Sequence, residues 1–251
     1  MEGDVWRELL NAEQLMLIGR EQEAADAARR ILQGGIHADA LNLLARAVVD
    51  RDPSEAYEAA LAAVGAAPED SSHHVVAAYT ALRAKKRNAA LDHAEAAQTL
   101  DPTSSEAHRM VAEALLVSSR KKARLIRAQA AARQATDLDP DDAANWVTLG
   151  RVAAVANDDE EAGAAYRTAL SLDPDDAVAR RNLATLQRNQ GDLVSALELV
   201  RSVIVLDPSD PSSRNEVDGI VREFFANLVW ALFIPAFFVA AFVDIVFGSG
   251  L

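Results

Sequence analysis

The side chains best suited to chemistry in this 251-residue chain are few. There are five histidines and no cysteine, so disulfides, iron–sulfur clusters, thiolate zinc sites and a cysteine nucleophile are excluded. His73-His74, His93 and His108 are the one grouping that resembles a metal cluster, but no carboxylate stands at a ligand spacing from them. The run Asp158-Asp159-Glu160-Glu161 reads as the opening of a helix, where carboxylates favour the positive end of the dipole, rather than as a general acid–base pair. No phosphate-binding glycine loop, nucleophile elbow or Walker lysine occurs. The sequence therefore predicts no catalytic residue, no metal site and no cofactor. The formal net charge of -13 opposes nucleic acid as the main partner, because phosphate binding needs a dominant positive field.

What remains is binding, and the elements that would present a binding surface are written in a period. Leu-Asp-Pro occurs at 100–102, 138–140, 172–174 and 206–208, giving proline spacings of 38, 34 and 34, with Pro68 a further 34 residues before Pro102. Proline ends a helix because it cannot donate the next hydrogen bond and pushes its predecessor out of the α region. The residues after it, Asp141, Asp175 and Ser209, are expected to cap the helix that follows. Repetition at this length signals stacked supersecondary units.

Within residues 143–176 the unit carries Trp146, Leu149-Gly150, Ala162, Tyr166, Ala169 and Pro174. The next has Leu183-Ala184, Gly191, Ala196 and Pro208, while earlier ones keep Ala78, Ala90 and Ala97, then Ala56 and Ala63. This pattern resembles the tetratricopeptide repeat over residues 3–210. The resemblance implies an all-α fold, a right-handed α-solenoid of about six helix-turn-helix repeats near 3–36, 37–70, 71–104, 105–142, 143–176 and 177–210. The fourth unit is four residues too long, and the surplus is expected to lengthen its turn near Ser118–Arg124. His74 and His108 share the repeat position of Trp146 and are expected to fill space between helix pairs, with His93 facing outward.

The same resemblance implies a concave groove lined by the first helix of each pair. Carried over residue by residue, it names Asn42, Ala45, Val75, Tyr79, Arg109, Glu113, Val147, Arg151, Arg181, Asn182 and Arg188. The carboxylate clamp of chaperone-binding relatives is not reproduced, since Glu113 stands where asparagine is expected. Arg151, Arg181 and Arg188, near Asn182, suit an acidic peptide or helix of a protein partner. A second surface is a basic edge at the turns of the third and fourth units: Arg83, Lys85, Lys86 and Arg87, then Arg120, Lys121, Lys122, Arg124 and Arg127. It suits an anionic headgroup or an acidic protein surface.

All seven phenylalanines lie in the last 28 residues. Residues 224–243 contain no charge, and a helix of that length spans about 30 Å, the thickness of a bilayer core. A single transmembrane helix is expected over 224–247, after a linker or capping segment at 211–223, with Phe224, Phe225, Trp230, Pro235, Phe238 and Phe242 in the anchor. Arg214 and Arg222 precede it and no basic residue follows, which places the repeats on the cytoplasmic side. The expected function is a non-enzymatic, membrane-anchored scaffold that binds a partner peptide or helix. The alternatives are a structural subunit of a membrane complex and the regulatory part of a longer enzyme cut at Leu251.

Overall fold

The computed structural model describes residues 2–118, 122–206, 215, 217 and 219–223. Every regular element among them is a helix: α1 Glu2–Leu17, α2 Glu21–Gln33, α3 Ala38–Val48, α4 Pro53–Ala66, α5 Ser71–Arg83, α6 Arg87–Leu100, α7 Ser105–Ser118, α8 Lys122–Leu138, α9 Ala143–Val155, α10 Asp159–Leu172, α11 Ala177–Asn189 and α12 Leu193–Leu206. Residues 219–223 are also helical. The chain divides into two compact units, Met1–Ala165 and Tyr166–Leu251, with α10 running through the division.

Each proline break has one local construction. α4, α6, α8 and α10 end two residues before Pro68, Pro102, Pro140 and Pro174, and α5, α7, α9 and α11 begin three residues after them. The aspartate of Leu-Asp-Pro folds back on the turn. Asp101, Asp139 and Asp173 accept from the backbone N–H of Thr103, Asp141 and Asp175 at 2.9, 3.2 and 3.0 Å. This occupies the first residue after proline, so the expected cap shifts by one. Asp142 and Asp176, not Asp141 and Asp175, cap α9 and α11, accepting from Ala144 and Ala179 at 2.9 and 2.8 Å. Asp70 and Ser104 do the same for α5 and α7. Ser209 lies outside the described residues.

The turns inside the pairs also repeat. Gly19, Lys85, Asn157 and Gly191 sit at φ +71°, +60°, +59° and +85°. The next N–H reaches back to the first helix in each case: Arg20 to Leu15, Lys86 to Ala81, Asp158 to Ala153 and Asp192 to Gln187, at 2.8–3.0 Å. This closes the last carbonyls of the first helix in a Schellman motif. The α3–α4 turn departs from the pattern, because Pro53 opens α4 and Asp52 caps it.

The four extra residues of the fourth unit do not lengthen its turn. α7 has 14 residues where α5 and α9 have 13, and α8 has 17 where α6 and α10 have 14. α7 reaches Ser118 and α8 has begun by Lys122, so Lys122–Arg124 are helical; residues 119–121 lie outside the described residues. Lys122-Ala-Arg-Leu-Ile-Arg-Ala contains no glycine, proline or β-branched run except Ile126, so extending the helix costs less than looping it out.

In the first unit each helix from α1 to α9 packs on its neighbour in sequence, and α1, α3, α5, α7 and α9 also touch two apart. The interfaces are made of alanine. Ala24, Ala28, Ala56, Ala60, Ala63, Ala78, Ala90, Ala94 and Ala97 are fully buried, with Leu43, Met110 and Leu115 among the few large side chains in nearly the same state. A methyl group lets backbones approach closely, and stabilisation accumulates from many small contacts rather than from an aromatic centre. That is why more than 200 residues fold here without one phenylalanine. In the second unit α11, α12 and Ile220 of the following helical stretch share a core of Ala184, Leu193, Ala196 and Val200.

No helix among the described residues is long and apolar enough to cross a membrane. The expected anchor, with Phe224, Phe225, Trp230, Pro235, Phe238 and Phe242, lies outside the described residues.

Candidate interaction groove

Because the odd-numbered helices of the first unit touch one another, their remaining faces form a common surface. Two adjoining clefts occupy it. One, of about 370 Å³, is lined by Glu13, Asp39, Asn42, Arg46, Ser72, Val76 and Glu106. The other, of about 310 Å³, shares Arg46, Val76 and Glu106 and adds Met16, Glu21, Val49, Asp50, Val75, Tyr79, Arg109 and Met110. The lining thus comes from α1, α3, α5 and α7 and the turn after α3, joined by Glu21 of α2.

Of the residues expected to line a groove, Tyr79, Arg109, Asn42 and Val75 stand in these clefts. Tyr79 is the most open large apolar side chain among them, at 36% exposure. Burial raises its phenol pKa, with Asp50 adding to the effect and Arg83 and Arg109 opposing it, so it stays a hydrogen-bond donor. Ala45 is fully buried and Val147 nearly so, which makes them core rather than surface. The carboxylates Glu13, Glu21, Asp39, Asp50 and Glu106 were not anticipated. Asp39 and Glu106 each precede by three residues an expected groove position (Asn42 and Arg109), and that helical neighbourhood is the signal available for these two.

Glu113 and Arg151 lie farther along, on α7 and α9, and they satisfy each other. The Glu113 carboxylate accepts from the Arg151 guanidinium and, at 2.9 Å, from the buried Thr148 hydroxyl. Arg109 donates to Glu106 at 3.2 Å. Arg181, Asn182 and Arg188 belong to α11 of the second unit, where Arg188 faces Glu223 at 3.8 Å. Arg151 and Arg188, expected to meet an acidic partner, thus each have a carboxylate of their own unit beside them.

The basic edge is also partly neutralised. Arg83 pairs with Asp50, and the Lys86 ammonium sits 4.8 Å from the centroid of the Tyr57 ring. Lys85 occupies the left-handed turn position, Arg87 opens α6, and Lys122 and Arg124 begin α8. Arg127 pairs with Glu95 at 2.6 Å. Arg120 and Lys121 lie outside the described residues.

Two of the histidines serve the proline turns. His74 and His108 direct Nε2 at the carbonyls of Pro68 and Pro102, both at 3.0 Å, and the Trp146 indole donates to Pro140 at 2.8 Å. Arg180 donates to Pro174 in the same way. With Nε2 donating, Nδ1 of each histidine accepts: Gln98 donates to His108 at 2.9 Å, and His93 meets His74 at 3.3 Å. His93 is thus not outward-facing. Its ring packs between those of His74 and Tyr57, at centroid distances of 5.4 and 6.4 Å. Burial lowers its pKa, His74 lowers it further, and Asp92 opposes. Among the described residues no three metal-ligating side chains converge.

The tetratricopeptide repeat family model matches residues 120–177 and 160–211. No curated protein matches the sequence. Among solved structures, the chain is similar to a thermophilic TPR protein of Thermus thermophilus, with 20% identity and a TM-score of 0.60 over 86% of this chain and 98% of that one. It is similar to an assembly chaperone of RpL4, with 20% identity and a TM-score of 0.58 over 90% and 98%. It also resembles a chain of the APC/C hetero-tetramer Cut9–Hcn1, with 13% identity and a TM-score of 0.74, covering 86% of this chain and 42% of that one. At these identities the likeness establishes the fold.

Proposed function

We propose that this tetratricopeptide-repeat chain is a non-enzymatic scaffold that holds a segment of a partner protein in the groove of α1, α3, α5 and α7. The observation that carries this reading is the pair of adjoining clefts, which share Arg46, Val76 and Glu106 and have the half-open Tyr79 ring beside them. A surface that mixes an accessible aromatic, aliphatic floor residues and charged groups of both signs has the composition of a peptide site. The uncharged residues 224–243 supply the second half of the proposal, a tail that ties the scaffold to a membrane with the repeats on the cytoplasmic side.

Two measurements test these halves separately. Val76→Arg and Tyr79→Ala are expected to lose a partner recovered by crosslinking from native membranes, while Ile126→Arg on the exposed start of α8 keeps it. Equal loss in all three, or in none, would sink the groove. The full chain is expected to stay with membranes after alkaline extraction; release into the supernatant would sink the anchor.

A further inference from the structure

Resting on that reading, we infer that the groove of the first unit takes a basic segment, a stretch of partner chain with lysines or arginines interleaved with apolar residues. Five carboxylates line the two clefts, Glu13, Glu21, Asp39, Asp50 and Glu106, against the guanidiniums of Arg46 and Arg109. The basic groups are already engaged. Arg46 donates to Glu13 at 2.8 and 3.1 Å and Arg109 to Glu106 at 3.2 Å. Arg83 reaches Asp50 from outside the cleft lining. Among the described residues, Asp39 is paired with imidazoles alone, those of His73 at 3.5 Å and His37 at 3.8 Å, and Glu21 makes no ion pair. The cleft is left with an excess of negative charge on a chain whose net charge is -13, so local and long-range fields have one sign.

The apolar part of the site agrees with a cation. Tyr79 turns an aromatic ring into the same space as Asp50 and Glu106, an arrangement that holds an ammonium or guanidinium both over the ring and beside a carboxylate. The chain already uses the cation-over-ring contact at Lys86 and Tyr57. Size sets the segment length. Four first helices at spacings of about 8–10 Å span roughly 24–30 Å, which an extended chain crosses in about eight residues. This reverses the acidic partner that the arginines alone suggest, because Arg151 and Arg188 stand beside carboxylates of their own unit.

The test uses the full chain in mild detergent with p-benzoylphenylalanine in place of Tyr79. Two nine-residue peptide pools are offered, alike except that one carries three Lys or Arg and the other three Asp or Glu. The basic pool is expected to crosslink, and 0.5 M NaCl to suppress it. Glu21→Gln and Asp50→Asn, both on exposed groups, are each expected to weaken labelling by about twofold to fivefold, and Arg46→Gln to strengthen it by a similar factor. If the acidic pool labels as well as the basic one, or if yields ignore all three substitutions, the basic segment is wrong and the groove stands. If neither pool labels at position 79, the groove reading fails and takes this inference with it.

Discussion

The indole Nε1–H of Trp146 donates to the carbonyl of Pro140, six residues upstream, at 2.8 Å. The same bond recurs at His74–Pro68, His108–Pro102 and Arg180–Pro174, so four proline turns are closed by three kinds of side chain. Each clasps the carbonyl that proline leaves without a helical donor. For His108 the ring is also tied to Gln98, and it is nine-tenths buried. His108→Phe keeps an aromatic ring but leaves the Pro102 carbonyl and the Gln98 amide without this partner. A loss of roughly 1–3 kcal/mol is expected in urea unfolding, with His108→Gln recovering part of it. Equal stability of wild type and His108→Phe would show that the clasp contributes nothing.

His93 makes stability depend on mild acid. Its folded pKa lies below the ordinary value of 6.5, first through burial and then through His74, with Asp92 opposing. The unfolded chain therefore binds a proton more readily than the folded one just below pH 6.5, and stability rises with pH through that window. The contribution is fully present above 6.5 and is lost as pH falls through the folded value. The melting temperature of the wild type is expected to drop more between pH 7.5 and 5.5 than that of His93→Gln. An identical drop in both would assign the dependence elsewhere.

Two of the four left-handed turn residues carry a side chain where glycine has none to accommodate. Lys85 and Asn157 hold the backbone positions of Gly19 and Gly191. Relief of left-handed strain exceeds the extra entropy that glycine loses on folding, and asparagine tolerates this region better than lysine. Lys85→Gly is expected to stabilise by about 0.5–1 kcal/mol and Asn157→Gly by less. Calorimetry of the two variants checks the order, and destabilisation by Lys85→Gly would contradict it.

Glu113 joins neighbouring first helices by accepting from Arg151 and Thr148. Glu113→Ala strands a partly buried guanidinium and a buried hydroxyl, so a cost of roughly 1.5–3 kcal/mol is expected. Glu113→Gln keeps an acceptor for each and is expected to cost less. Hydrogen exchange at the α7 and α9 amides, compared between the two variants, separates loss of the pair from general destabilisation.

The proline breaks and the buried alanines were legible because their causes are local. Proline cannot continue a helix wherever it stands, and a small residue repeated at one period can only mark a crowded interface. The capping residue was missed by one position because Asp139, Asp141 and Asp142 offer adjacent carboxylates around Pro140, and only the fold decides that Asp139 spends itself on Asp141. Of the residues expected to line a groove, Asn42, Val75, Tyr79 and Arg109 stand together in the clefts, but the charge of those clefts was not legible. Which arginine meets which carboxylate depends on helices 35–38 residues apart, as with Glu113, Thr148 and Arg151. His93 was misplaced for the same reason: its partners Tyr57 and His74 lie on other helices.

The longer α8 has a consequence for how such a chain can change its length. Three added residues extend a helix by about 4.5 Å and come within one residue of a full turn. They stand ahead of Ala128, Ala131, Ala132 and Ala135, which remain buried on the inherited face. Growth at the leading end therefore leaves the phase of the contact stripe untouched, whereas the same insertion between Ala128 and Ala135 would turn one half of it by about 60° against the other. A repeat of this kind can gain length at its tips and almost nowhere else. The start of α8, with Lys122, Arg124 and the exposed Ile126, is the place where this molecule has already done so.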